Sequence, residues 1–172
     1  MPVEAASTFR RLISMTRGSA FHLDQHGAHL PGDLAFSSWK TRLPLAEDGH
    51  GWRRLVRSST ARGVSFRRVR VVSEPLVPSI VYAYAVTEQL NAAAGLEVRW
   101  LPRPRTAGLA FPRLDCWIFD GRAALLYHFD AFGEIERAEV TFVPGPIDYY
   151  RLLFAAAWDR AVPHQEYRPG AW

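Results

Sequence analysis

The sequence predicts an α/β (α+β) fold: a mixed β-sheet flanked by helices, with the order β-α-β-β-β through its middle. Three observations carry this. Phe66–Val72 alternates along its length, with Phe66, Arg68, Arg70 and Val72 on one side and Arg67, Val69 and Val71 on the other, which is the period of a strand. Ser79 to Ala94 reads as a long helix stopped by Gly95, and Glu97 to Leu101 as a second strand closed by Pro102 and Pro104. Leu114 to Phe119, Asp120-Gly121 and Ala123 to Phe129 form a hairpin, for which Asp-Gly is a strong local signal.

The remaining elements fall on either side. Thr8 to Met15 is a short helix with Phe9, Leu12 and Ile13 on one face, capped by Ser7 or Thr8. Ala20 to Leu30 suits a strand that turns at Gly27. Pro31 to Gly51 is loop-rich, with one helical turn at Ser37 to Arg42. Trp52 to Ala61 is amphipathic: Trp52, Leu55, Val56 and Ser59 face inward, Arg53, Arg54 and Arg57 face solvent, and Gly63 stops the helix. Arginines inside a sheet are costly, so one end of the Phe66–Val72 strand is expected to be exposed. Ile135 to Val143 is a further strand, broken by Pro144-Gly145-Pro146, and Asp148 to Arg160 a terminal helix. The length of 172 residues predicts one domain. Residues 1–62 form a helical and loop region packing on a core at 63–143, and residues 144–172 a C-terminal helix and tail.

Composition excludes several classes. Apolar residues make up 48% and charged residues 22%, ordinary for a globular domain. No run approaches the ~18 uncharged apolar residues of a membrane span, and Met1 to Arg11 lacks a signal-type apolar core, so a cytoplasmic location is expected. Cys116 is the single cysteine and reads as a buried core residue. The net charge is +4, and Lys40 is the one lysine among 21 basic residues. With 17 acids interleaved along the chain, this arginine bias alone does not favour nucleic-acid binding. Walker, Gly-rich dinucleotide, Gly-x-Ser-x-Gly and Cys-x-x-Cys motifs do not occur, and no cofactor is expected.

Gly63-Val64, Arg68-Val69-Arg70-Val71-Val72, Ala94-Gly95-Leu96-Glu97-Val98-Arg99-Trp100-Leu101-Pro102 and Trp117 to Leu126 follow one another in a pattern that resembles the phospholipase D-like half-domain appended to some bacterial transcription regulators. The whole chain also resembles an actinobacterial family of unknown function, through Arg68 to Pro75, Asp115 to Asp120 and Val162 to Tyr167. Members of that family are often encoded beside helix-turn-helix regulators. The resemblance implies a regulatory context with a helix-turn-helix partner protein. Catalytic phospholipase D domains use His-x-Lys-x4-Asp. If Asp120 is matched to that aspartate, Asp115 takes the lysine position and Arg113 the histidine position. Arginine stays protonated and is a poor nucleophile, and an aspartate repels phosphate. The resemblance therefore implies a scaffold without its phosphodiesterase chemistry. Active members pair two motifs, so a homodimer is compatible with it.

Among candidate sites, Ser73 and Glu74 follow the first strand at its carboxyl end, where open α/β sheets bind ligands. Arg103 and Arg105 follow the second. If the two strands are parallel neighbours, Ser73, Glu74 and Arg103 converge with Arg113, Asp115 and Asp120 as a ligand-binding set for an anionic small molecule. The plain alternative makes Ser73 or Glu74 a helix cap. The same strand-end residues would serve a small-molecule enzyme. A third reading places nucleic acid on Arg53, Arg54, Arg57 and Arg67. His22, His26 and His29 are read as solvated loop histidines rather than metal ligands, since Gly27 and Pro31 argue against a helix there. Asp130, Glu134, Glu136 and Glu139 read as the wet face of a strand. Trp100 and Trp117 are expected in the core, and Tyr149, Tyr150 and Trp172 at the surface.

Overall fold

A computed structural model describes residues 3–26, 48–131, 133 and 135–170. The expected helical turn at Ser37 to Arg42, the turn at Gly27, His29, Glu134 and Trp172 lie outside the described residues. A seven-stranded mixed sheet is built from β1 (Ser19–Asp24), β2 (Ser65–Val72), β3 (Leu96–Pro102), β4 (Leu114–Phe119), β5 (Ala123–Phe129), β6 (Ile135–Thr141) and β7 (Val162–Pro163), in the spatial order β6-β5-β4-β1-β2-β3-β7. β1, β2 and β3 are parallel neighbours, and every other pairing is antiparallel. The strand expected within Ala20 to Leu30 is Ser19–Asp24 and takes the centre of the sheet.

Among the described residues four α-helices accompany it: α1 (Val3–Met15), α2 (Asp48–Thr60), α3 (Pro78–Leu90) and α4 (Pro144–Arg160). Because side chains alternate across a strand, each strand feeds two cores. On one face Ala20, Phe66, Leu96, Val98, Trp100, Trp117 and Leu125 pack with Phe9, Leu12 and Ile13 of α1, Val56 of α2 and Ile80 and Ala83 of α3. On the other, Leu23, Val69, Val71, Leu101, Cys116, Ile118 and Leu126 pack under Ile147, Tyr150, Leu153, Phe154, Ala157 and Trp158 of α4. Burial pushes the Cys116 thiol far up, so it stays protonated core.

Local chemistry explains where the elements stop. Asp120 and Gly121 both take positive φ (51° and 63°), as a tight hairpin turn requires, and only glycine does so freely. The helix read as Ser79 to Ala94 ends at Leu90 instead. Ala92–Ala94 tightens into a 3₁₀ turn, and Gly95 exits at φ 94°. Pro144-Gly145-Pro146, read as a break, is the first turn of α4: a proline at N1 loses only an N–H that has no helical partner anyway. Tyr150, expected at the surface beside Tyr149, is buried, because it shares the sheet-facing side of α4 with Ile147, Leu153, Phe154 and Ala157.

Candidate functional site

Two transverse rows of ionisable residues cross the middle of the sheet on the face shared with α1, α2 and α3. The register pairs His22 of β1 with Arg68 of β2 and Trp117 of β4, and pairs Asp24 with Arg70. One step beyond the Leu23–Cys116 pair, Asp115 of β4 lies in the row of Asp24, with Trp100 of β3 and Tyr127 of β5 at the ends of that row. The expectation that one end of this strand is exposed fails: no residue of β2 is exposed, Arg70 is 7% exposed and Arg68 is half-buried. Partners permit this. Arg70 Nη2 stands 2.7 Å and Nε 2.8 Å from Asp24 Oδ2, a fork on a carboxylate. Arg70 also lies over the Trp100 ring at 5.6 Å. Burial alone would raise the Asp24 carboxyl, but Arg70, then His22 and Arg68, more than reverse this and hold it far below the usual range.

His22 is 9% exposed rather than solvated. It stacks on Trp117 at 4.3 Å, and Arg68 Nε donates to its Nδ1 at 3.0 Å. Burial, then the Arg68 charge, keep the imidazole neutral well below its ordinary pKa. Burial, then the neighbouring Arg70, pull the Arg68 guanidinium down to about 10.

Asp115 closes the row. Its Oδ1 accepts the backbone N–H of Gln25 at 2.8 Å and of His26 at 3.2 Å, and meets His26 Nδ1 at 2.9 Å. The His26 ring stacks on Phe129 at 4.1 Å, beside the irregularity in the β5–β6 register. Burial raises the Asp115 carboxyl; the His26 hydrogen bond offsets part of this, and Asp24 adds to the rise. The Gln25 side chain is tied to the carbonyls of Pro112 and Leu114 at 2.9 and 2.7 Å.

β2 and β3 lie side by side and parallel, so the groups after them meet. Arg103, in the 3₁₀ turn Arg103–Thr106, donates to Ser73 Oγ at 3.2 Å and to the Gln25 carbonyl at 3.2 Å. Ser73, Arg103 and, through Gln25, Asp115 therefore share one end of the sheet. Glu74 turns away and accepts the Tyr167 hydroxyl at 2.6 Å. Neither Ser73 nor Glu74 caps α3, whose N-cap is Val77 with no side-chain bond. Arg113 is exposed just ahead of β4. Asp120 lies at the opposite end of β4, where it accepts the N–H groups of Arg17, Gly18 and Ser19 at 2.9, 2.7 and 2.8 Å. The arrangement brings together Ser73, Arg103 and Asp115, and leaves out Glu74, Arg113 and Asp120.

The residues that sequence reasoning missed are His22, Asp24, Gln25, His26, Arg68 and Arg70. A signal was present: His22 and Asp24 alternate on one strand as Arg68 and Arg70 do on the next, so one register aligns base with acid. Among the described residues no group of three or more His, Cys, Asp or Glu is placed to hold a metal, and no helix is long and apolar enough to cross a membrane.

Away from the rows, Arg53, Arg54, Arg57 and Ser58 line an open concavity of about 520 Å³ on α2. The fourth member of that reading, Arg67, lies on the α4 face instead, 5.1 Å over the Trp158 ring.

None of the curated proteins matches the chain. Among solved structures it is similar to TrmBL2, an archaeal chromatin protein whose structure shows a novel mode of DNA binding, at a TM-score of 0.51 and 13% identity. That likeness covers 92% of this chain and 50% of TrmBL2, so the chain spans half the length of that relative. It is also similar to NucT from Helicobacter pylori, at a TM-score of 0.54 and 13% identity over 93% of this chain and 91% of NucT. At such identity the likeness shows a shared fold. Residues 7–169 match the domain of unknown function DUF6879, and the chain belongs to that family.

Proposed function

We propose that the chain is a non-enzymatic regulatory module that senses a small ligand at the carboxyl ends of β1, β2 and β3 and works with a helix-turn-helix regulator. The observation that carries this is the pair of buried ionisable rows. Burying Arg70, Asp24, His22 and Asp115 in a sheet costs stability that an apolar core would not, and such clusters mark functional sites. On the phospholipase D-like reading, the attacking position carries Arg113, which is exposed, and the amine position carries Asp115, which is engaged by Gln25 and His26. A protonated guanidinium at the attacking position is a poor nucleophile, and a carboxylate at the amine position repels phosphate. The partner is the one that the sequence resemblance implies. The test is purification of the tagged chain from its native cells, with mass spectrometry of bound proteins and of small molecules released on denaturation. A DNA-binding regulator and a stoichiometric small molecule are expected; finding neither ends the reading.

A second reading is nucleic-acid binding through α2. It is favoured by the arginine-lined concavity at Arg53, Arg54 and Arg57, and by the DNA-binding mode named for TrmBL2. It requires retention of duplex DNA in a gel-shift assay at low salt, with affinity falling steeply as salt rises. No retention at low salt removes it.

A further inference from the structure

We propose that the outer side of α4, from Tyr149 to Arg160, docks an acidic, partly apolar segment of a partner protein together with the loop between β3 and β4. The inference rests on the part of the reading above in which the chain works with a partner, and it names the surface and the chemistry of what sits there.

The surface is held together by hydrogen bonds that leave its charges open. Between β3 and β4 the chain carries Arg103, Arg105 and Arg113 and no acid. The Tyr149 hydroxyl donates to the Ala110 carbonyl, and Arg160 Nη1 donates to the Ala107 carbonyl at 2.7 Å, so α4 grips the loop from both of its ends. Arg105 Nη1 donates back to the Arg160 carbonyl at 3.4 Å. Arg103 is fixed on Ser73 Oγ and the Gln25 carbonyl. Every one of these acceptors is neutral. Arg103, Arg105, Arg113 and Arg160 are all exposed, and among the described residues none of them meets a carboxylate within ion-pair distance. A guanidinium pinned on a neutral oxygen keeps its charge and its remaining donors for a carboxylate, and has already lost much of its rotamer freedom.

The apolar part of the surface narrows the class. With Ile147, Tyr150, Phe154 and Ala157 turned onto the sheet, helical spacing sets Tyr149, Leu152, Ala156 and Arg160 along the side next to the loop. Asp148 and Asp159 fall on the flank away from it, and Asp148 is answered by Arg151 at 3.3 Å. Leu152 is 62% exposed in the middle of this side, and Phe142 and Val143 are exposed at its foot. The surface therefore grades from apolar at the start of α4 to cationic at its end. Large exposed apolar groups beside arginines are the composition of a protein interface. A phosphate backbone makes no use of an exposed leucine, which favours a protein over a nucleic acid. The complement is a segment with apolar side chains against Tyr149 and Leu152 and carboxylates against Arg105 and Arg160.

The test is a ¹H–¹⁵N NMR titration of the full chain with a helical peptide of leucine and glutamate, its leucine and lysine counterpart, and a thymidine oligonucleotide. The glutamate peptide is expected to move the backbone signals of Arg105, Leu152, Ala156 and Arg160 saturably, and the lysine peptide to leave them in place. Leu152→Asp, and Arg105→Glu combined with Arg160→Glu, should each weaken the glutamate peptide about tenfold, whereas Arg54→Glu on α2 should leave it within about twofold. All four positions are exposed, so these variants are expected to fold. No shift at these residues overturns the inference. An oligonucleotide that moves the same signals at lower concentration than the peptide overturns it in favour of nucleic acid, and shifts there that grow with protein concentration alone overturn it in favour of a second copy. Replacing Leu152 by a photo-reactive benzophenone residue in native cells separates the inference from the reading it rests on. A cross-link to an acidic segment of the co-purifying partner is expected. A partner that co-purifies but does not cross-link at this position overturns the inference and keeps the reading, and the absence of any partner brings both down.

Discussion

Asp115 and Asp120 stand five residues apart on and just past the same strand, and each clamps one end of β1. Asp120 gathers the N–H groups of Arg17, Gly18 and Ser19, where the chain enters β1. Asp115 gathers the N–H groups of Gln25 and His26 and the His26 ring, where the chain leaves it. Partner count and strand are alike, yet their acidities move in opposite directions. At Asp120, partial burial pushes the carboxyl up, but the Ser19, Arg17 and Gly18 N–H groups outweigh it and hold the pKa below the usual range. At Asp115, near-complete burial wins, helped by Asp24. A carboxylate in contact with water is a structural clasp. The same clasp sunk beside another acid becomes a group whose charge depends on its surroundings, which is what a binding site exploits.

The largest expected effect lies beside the Asp115 clamp. Arg70→Met leaves Asp24 buried without its cation, and should cost about 3–5 kcal/mol of unfolding free energy in a urea titration. A loss below about 1 kcal/mol would mean that water reaches this row. Next, Asp115→Ala strands two buried N–H groups and should cost about 3 kcal/mol, against about 1 kcal/mol for Asp120→Ala, where solvent can replace the lost oxygens. Equal losses in parallel melts would erase the distinction between the two clamps.

The pH dependence sharpens it further. Asp120 is more acidic folded than unfolded, so its contribution is full above the unfolded pKa near 4 and is lost as the pH falls through the folded value. Asp115 holds its proton more tightly when folded, so its contribution is greatest in acid and declines as the pH rises from about 4 through the raised value. Asp120→Asn should therefore melt furthest below the unaltered protein at neutral pH, with the gap closing toward pH 3, and Asp115→Asn should show the reverse trend. The smallest effect concerns the turn that presents Asp120. Gly121→Ala places a Cβ at φ 63° with no clash nearer than Arg151 Cδ at 3.7 Å, so only backbone strain of about 1 kcal/mol is expected.

The halves of this molecule differed in how openly the sequence declared them. Period-two alternation located β2, and Asp120-Gly121 located the β4–β5 hairpin, because both are local signals. Ser73 and Arg103 are legible as a strand-end pair because β2 and β3 are parallel neighbours. The rows were not legible, because they exist only through register: nothing local says that His22 sits opposite Arg68 or Asp24 opposite Arg70. Alternating arginine on one strand points to exposure until a carboxylate on the neighbouring strand is known. Pro144-Gly145-Pro146 misled for the opposite reason, since proline serves equally to end a strand and to start a helix, and only packing of Ile147 and Tyr150 on the sheet decides.

The short strand β7 has a further consequence. Its two residues pair with Arg99 and Trp100, and His164 N–H adds a bond to the Val98 carbonyl, so a thin ribbon of tail covers the outer margin of β3. The far margin, β6, instead carries exposed Glu136, Arg137 and Glu139. One border is sheathed and the other bristles with charge, two different safeguards against a neighbouring copy extending the sheet. Stripping residues 162–170 would bare the β3 ladder, and self-assembly through that border is the fate such a shortened chain would face.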